Sequence, residues 1–147
     1  MTTVRQVLRS KSSGVATIGP KDTVYAALEI LAQKDIGALI VMEDDKVVGI
    51  FSERDYARKG ILRGRFSKET MVEDLMTRRV YYASPDQSID DLMTLMTTKH
   101  IRHLPVIDKD KLIGVVSIGD VVKTIIEDHE FTIREMEKYI TGSSMHS

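Results

Sequence analysis

The sequence predicts an α/β fold: two β-α-β-β-α repeats packed with pseudo-twofold symmetry, followed by a C-terminal helix. Three observations predict it. Sliding the 147-residue chain against itself by 65 positions aligns 15–59 with 80–124 without a gap, and 11 of the 45 pairs are identical. Average residue usage gives roughly three. The identities include Val15/Val80, Pro20/Pro85, Ile36/Ile101, Leu39/Leu104, Gly49/Gly114, Ser52/Ser117 and Asp55/Asp120. Within each copy the apolar spacing changes from helical to strand-like at the same place. Each copy then has two apolar runs separated by four polar turn residues, the signature of a hairpin.

In chain order, Val4-x-x-Val7-Leu8 opens the first copy. A strand follows from Val15. Val24, Ala27, Leu28 and Leu31 then recur at i, i+3, i+4, i+7, an amphipathic helix capped by Thr23 or Asp22. Residues 38–42 and 47–51 are the hairpin strands, and Ser52-Glu53-Arg54-Asp55 leads into a second helix. Residues 60–71 are a polar connection in which Thr70 and Glu73 are expected to cap a short helix through Leu75 and Met76. The second copy repeats the order, with Ile89, Leu92, Met93 and Met96 on the helix and Ser88-x-x-Asp91 as its capping signature. Pro105 places its strand at an edge or a strand end. Ile133, Met136 and Ile140 form an extra amphipathic helix from about residue 130, a candidate packing or dimer element. The expected divisions are 4–65, 66–129 and 130–147. A unit of about 60 residues with two short helices cannot cover both faces of its sheet, so the copies are expected to pack together.

Composition narrows the function classes. With 42% apolar and 29% charged residues the chain is globular. It has no Cys, which excludes disulfides, thiol nucleophiles and Cys-based zinc sites. The 21 Lys plus Arg balance 22 Asp plus Glu, without the broad positive field of non-specific nucleic-acid binding. The opening residues lack the apolar core of a secretory signal, and no window reaches 18 apolar residues, so a soluble cytoplasmic protein is expected, with no membrane partner. His100 and His103 are three apart, but no further ligands complete a coordination shell, so no metal is expected. No Walker loop, triad or paired acids support catalysis. The chain is read as a non-enzyme.

The duplicated endings, Val48-Gly49-Ile50-Phe51-Ser52-Glu53-Arg54-Asp55 and Ile113-Gly114-Val115-Val116-Ser117-Ile118-Gly119-Asp120, with His103-Leu104-Pro105-Val106-Ile107-Asp108, resemble a pair of CBS (cystathionine β-synthase) domains, the Bateman module. The resemblance covers residues 4 to about 127. It implies an adenine-nucleotide sensor without catalysis, in which AMP, ATP, NAD or a related ligand sits between the repeats and shifts conformation or partner binding. It also implies a homodimer and a regulated partner protein. The Asp of each motif would hold the ribose, and the preceding Ser would place phosphate. One implied pocket combines Ser117, Gly119 and Asp120 with Ala16, Thr17, Ile36, Gly37 and Ala38, and Ile118 is a further candidate ligand contact. The other combines Ser52, Arg54 and Asp55 with Tyr81, Tyr82, Ile101 and Arg102; Arg58 is a further candidate phosphate contact, and His103 a phosphate or interface contact.

Each Ser-x-x-Asp also has a local explanation, a helix capping box. Both readings stay open at the level of sequence, because a helix N-terminus also suits phosphate. Arg54 and Arg58, four apart, are expected on one helix face as a phosphate clamp, making the Asp55 pocket the better candidate for extra phosphate. Lys59, Arg63 and Arg65 read as a solvated face. Gly119 permits close backbone approach. The alternatives are a ligand-independent scaffold and a nucleic-acid module using Arg54 to Arg65.

Overall fold

The computed structural model describes residues 2–11 and 14–145, with the side chains of the last helix described through residue 140. The chain divides into two compact units, Ser13–Tyr82 with Pro105–Gly114, and Met1–Ser12 with Ala83–Leu104 and Val115–Ser147. They are called below the β1–β3 unit and the α5–α6 unit.

In the β1–β3 unit, β1 (Thr17–Ile18) pairs parallel with β2 (Ala38–Glu43), which pairs antiparallel with β3 (Lys46–Ser52). The β2–β3 turn has two residues, Asp44 and Asp45, at φ 51° and 63°. Two consecutive left-handed residues match the twist of the flanking strands. Helix α2 (Val24–Lys34) is capped by Thr23, whose side chain accepts from the Ala26 N–H. Its apolar face, Val24, Ala27 and Leu31, joins Ile18, Leu39, Val41 and Phe51 in the core, closed by Val72, Leu75 and Met76 from the segment around α4 (Val72–Leu75). That segment is held by the main chain: Val24 N–H donates to the Thr70 carbonyl and Val72 N–H to the Asp22 carbonyl, both at 2.8 Å. Thr70 does not cap α4 as expected. The N-cap is Met71, without a side-chain bond, because the buried Thr70 hydroxyl donates to the Phe66 carbonyl at 2.7 Å.

In the α5–α6 unit, α1 (Val4–Ser10) is closed by a capping box between Thr3 and Gln6. It is tied to the segment before α5 (Ile89–Lys99): Val4 N–H donates to Gln87 O and Arg5 N–H to Pro85 O, both at 2.9 Å. Val4, Val7, Ile89, Leu92, Met96 and Val121 are buried. Ser88 accepts from the Asp91 N–H at 3.1 Å, the N-cap half of the expected box. Strands β4 (His103–Asp108) and β5 (Lys111–Ser117) form a hairpin, of which Pro105–Gly114 is assigned to the β1–β3 unit and the two ends to this one.

The 65-residue offset recurs in the backbone. Asp35 and His100, the C-caps of α2 and α5, are left-handed at φ 51° and 56°. Ile36 N–H donates to Leu31 O and Ile101 N–H to Met96 O, both at 3.1 Å, the six-residue closure of a left-handed helix end. His100 therefore has a backbone role.

Three expectations are corrected. Among the described residues, no strand lies between α4 and α5, so the second copy lacks the counterpart of β1. In the first copy Ile40 N–H donates to the Ala16 carbonyl at 3.2 Å. Pro105 occupies the position 65 residues on and has no N–H to repeat that bond. The helix after Ser52 is a turn, α3 (Glu53–Asp55), followed by a π-helix (Tyr56–Gly60) and a 3₁₀ turn (Ile61–Arg63). Arg54 and Arg58 are exposed but do not share a regular α-helical face. The C-terminal helix is not separate either: α6 runs unbroken over Ile118–Met145, since nothing near residue 130 interrupts a chain without Gly or Pro there.

Relieving the left-handed strain at His100 gives the first prediction. His100→Gly raises the urea midpoint, by about 0.5–1 kcal/mol of stability, without changing the unfolding slope.

Candidate functional site

Each Ser-x-x-Asp lies where a hairpin strand turns into a helix. At the first junction Glu53 N–H donates to the Gly37 carbonyl at 3.3 Å, and at the second Ile118 N–H donates to the Arg102 carbonyl at 2.8 Å. Each motif is thereby fixed to the loop that enters its own hairpin. Both Asp side chains cap. Ser52 N–H donates to Asp55 Oδ2 at 2.9 Å and Ser117 N–H to Asp120 Oδ2 at 2.9 Å, while each Ser Oγ accepts from the Asp backbone N–H. The local reading of the motif is therefore correct, and it leaves each carboxylate with its second oxygen.

That oxygen separates the two junctions. Asp55 Oδ1 accepts from the Thr77 hydroxyl at 3.1 Å and lies 3.1 Å from Lys59 Nζ, which also donates to the Leu75 carbonyl at 3.3 Å. Thr77 is held there because Ile50 and Thr77 exchange both main-chain bonds across β3. Gly49 permits that approach: a Cβ at Gly49 would meet Met76 Sδ at 2.7 Å and Thr77 O at 2.9 Å. Asp55 is thus enclosed by its own unit. Lys59, expected on a solvated face, is half-buried and holds the carboxylate and a helix end together.

Asp120 is arranged differently. Lys11 Nζ donates to Oδ2 at 2.8 Å and to the Val115 carbonyl at 2.8 Å. Among the described residues, no hydrogen bond or ion pair reaches Oδ1. The side chain is half-buried. Arg102 and His103 stand at this junction where the first has Gly37 and Ala38, so three basic side chains come from α1's end and β4's start. Gly119, the second residue of α6, has room for a Cβ, with Ser117 Oγ at 3.6 Å. Its own packing does not require a glycine.

The electrostatics agree with this geometry. Burial pushes the Asp120 carboxyl up, but the hydrogen bonds from Lys11 and the Ser117 backbone, with the Lys11 charge, outweigh it and hold the group below the ordinary carboxylate value. Burial lowers the His103 pKa below 6.5; Asp120 opposes this, while Lys11 and Arg102 add to it. His103 is therefore mostly neutral at neutral pH, beside two cations that disfavour its protonation and one carboxylate that favours it.

Of the expected site residues, Ala16, Thr17, Ile36, Gly37, Ala38, Ser52, Arg54, Asp55, Arg58, Tyr81 and Tyr82 lie in the β1–β3 unit. Ile101, Arg102, His103, Ser117, Ile118, Gly119 and Asp120 lie in the α5–α6 unit. The N–H groups of Ile36 and Ile101 are engaged in helix closure. Tyr81 stacks under Arg79, with the guanidinium carbon 5.8 Å from the ring centroid. Lys11 and Thr77 were not legible in the sequence, since both lie outside the aligned copies and reach their carboxylates through tertiary structure. Among the described residues, no group of three or more His, Cys, Asp or Glu is placed to hold a metal, and no helix is long and apolar enough to cross a membrane.

Two hairpin-to-helix junctions, each with a Ser-x-x-Asp cap and related by one offset, define a duplicated CBS architecture. The CBS domain profile matches residues 4–61 and 72–127, and the chain belongs to that family as a tandem pair. It is 39% identical over 150 residues to the mitochondrial CBS domain-containing protein CBSX3 of Arabidopsis thaliana, covering 96% of this chain and 73% of the relative. A structure of a protein with CBS domains from Burkholderia ambifaria matches at TM-score 0.83 and 50% identity, over 86% of this chain and 96% of that one. The CBS domain pair of protein MJ0100, solved with 5′-methylthioadenosine and S-adenosyl-L-methionine, matches at TM-score 0.76 and 25% identity, over 87% and 98%.

Because the folded pKa of His103 lies below its unfolded value, the unfolded chain takes the proton first. The associated stability is complete above about pH 6.5 and is lost as pH falls through the folded value. The melting temperature should therefore drop between pH 7.5 and 5.5, and His103→Gln should flatten that part of the profile. The Asp120 contribution has the same sign and fades only below the ordinary carboxylate range.

Proposed function

We propose that this chain is a regulatory adenine-nucleotide-binding protein whose principal ligand contact is Asp120. The observation that carries the reading is the difference between the two carboxylates. Asp55 has both oxygens engaged within its own unit, whereas Asp120 keeps Oδ1 for a ligand. A ribose diol presents two donors to one acceptor edge, the recognition acidic side chains perform in dinucleotide folds. Lys11, Arg102 and His103 supply the cationic surroundings a phosphate needs. The complex of MJ0100 with adenosyl compounds supports the ligand class. This reverses the preference drawn from Arg54 and Arg58, and places the phosphate charge beside Asp120 instead.

The output is a shift between conformations that a partner protein reads, since a ligand moves an equilibrium by its differential affinity for the two states. A nucleic-acid role for the Arg54 to Arg65 stretch has less support: Lys59 is paired with Asp55, and Arg65 Nη2 lies 3.7 Å from Asp74.

Calorimetry with AMP, ATP, NAD and 5′-methylthioadenosine tests this reading. Asp120→Asn keeps an acceptor for the cap and should weaken AMP at least about tenfold, equivalent to about 1.4 kcal/mol, and should also lower the melting temperature through loss of the ion pair with Lys11. Asp55→Asn should lower the melting temperature and leave AMP affinity within about twofold. An incoming phosphate raises the His103 pKa, so AMP binding takes up protons and tightens from pH 8 to pH 6. Uncharged 5′-methylthioadenosine should show little of that dependence. Absence of binding by all four, or equal loss in both Asp variants, would sink the assignment.

A further inference from the structure

The stretch after the π-helix carries large apolar side chains on the outside. Residues 61–66 are all exposed, with Ile61, Leu62 and Phe66 at 59%, 80% and 71%. Their main chain is nevertheless tied down. Gly64, left-handed at φ 70°, donates its N–H to the Ile61 carbonyl at 3.2 Å, and Arg65 N–H donates to the Gly60 carbonyl at 3.0 Å. Gly60 itself is buried where a Cβ would meet Tyr56 Cδ1 at 2.9 Å and Leu75 Cδ1 at 3.1 Å. At the far end the Phe66 carbonyl accepts from the Glu69 N–H and the Thr70 hydroxyl, and the Ser67 carbonyl from the Tyr25 N–H. The loop is thus a built projection that keeps its apolar side chains out of the core.

Charge selects what can cover it. Residues 54–68 hold six basic side chains and one acid, Asp55, which Lys59 already pairs, in a chain of net charge −1. Arg63 and Arg65 interleave with Leu62 and Phe66 in the loop itself. Arg65 lies 3.7 Å from Asp74, but the pair is half-exposed, and such pairs are weak in water. Beside the loop, Lys68 Nζ is 4.9 Å from the centroid of the Tyr25 ring, itself 42% exposed. The surface that fits is anionic with an apolar layer beneath.

Three kinds of anionic partner differ in what they need. A nucleic-acid strand gains from successive aromatic faces, and Ile61 and Leu62 offer none. A stable protein complex engages roughly 20–30 residues a side, more than this short projection presents. An anionic lipid surface needs no matching cleft. Apolar side chains enter the boundary between headgroups and acyl chains, cations stay at the level of the phosphates, and a tyrosine ring suits the zone between them. The expectation of no membrane partner rests on the lack of a spanning segment, and lying on a surface requires none.

We propose that the loop from Ile61 to Phe66 seats this protein on anionic phospholipid surfaces, with Leu62 and Phe66 inserted and Arg58, Arg63, Arg65 and Lys68 on the headgroup phosphates. All of these residues lie in the β1–β3 unit, so the proposal is independent of the Asp120 reading.

Cosedimentation of the full chain with vesicles tests it. The chain should bind phosphatidylcholine containing about 30% phosphatidylglycerol and not phosphatidylcholine alone, and binding should fall steeply as salt is raised to about 0.5 M. Leu62→Ser and Phe66→Ser should each weaken it about tenfold, and Arg63→Gln about fivefold. Melting temperatures should not change, because all three side chains are exposed. Ile133→Ser, at a comparably exposed position on α6, should leave binding as it is. No binding to the anionic vesicles, or binding that the Leu62 and Phe66 variants leave intact, would overturn the proposal. So would capture of polyglutamate or RNA in preference to vesicles, or self-association that Leu62→Ser abolishes, since each gives the loop another occupant.

Discussion

The reciprocal hydrogen bonds between a serine and an aspartate three residues later govern what happens at both ends of this molecule's hairpins. A helix beginning directly from a strand exposes main-chain N–H groups with no partner of their own. The Ser hydroxyl and the Asp carboxylate satisfy them and also the Ser N–H, which fixes the angle at which the helix leaves the strand. This requirement occupies one carboxylate oxygen at Asp55 and at Asp120. The other oxygen is the one that capping leaves unused, although each carboxylate oxygen can accept more than one bond.

The divergence of the copies follows from that division. In the first, Thr77 and Lys59 complete Asp55, and the motif becomes part of the framework. In the second, Lys11 reinforces the oxygen already used in capping. Small residues Gly37 and Ala38 correspond to Arg102 and His103, so positive charge gathers at the junction whose carboxylate stays open. Conversely, Arg54 corresponds to Gly119, and the irregular helix around Tyr56–Gly60 has no counterpart in the regular start of α6. One duplicated scaffold carries one carboxylate with both oxygens bonded and one whose Oδ1 has no hydrogen bond or ion pair among the described residues.

Most of the framework was legible in the sequence because it rests on local signals. The helices α2 and α5, both hairpins and three of the caps follow from periodicity and from residues within four positions of one another. The family was legible in the same residues. The illegible parts depend on distant neighbours. Lys11 reaches Asp120 across 109 residues, and Thr77 reaches Asp55 only because a main-chain bridge crosses β3 at Gly49. The missing strand before α5 was half-written in Pro105, which signalled an edge without saying which neighbour would be lost. The break after Asp55 had no clear signal, since the repeat alignment promised a helix like that of the second copy.

The attachment of α1 to residues 85–89 also bears on how the chain comes to be folded. Helix α1 precedes its main-chain partners Pro85 and Gln87 by some 80 positions. The core of the β1–β3 unit, from Ile18 to Met76, lies wholly inside that interval. On a ribosome the inner unit has its core residues available first, while α1 waits for a docking site that does not yet exist. Closing so long a loop costs more entropy than a local contact, so the docking of α1 depends on the segment at 85–89 already being in place.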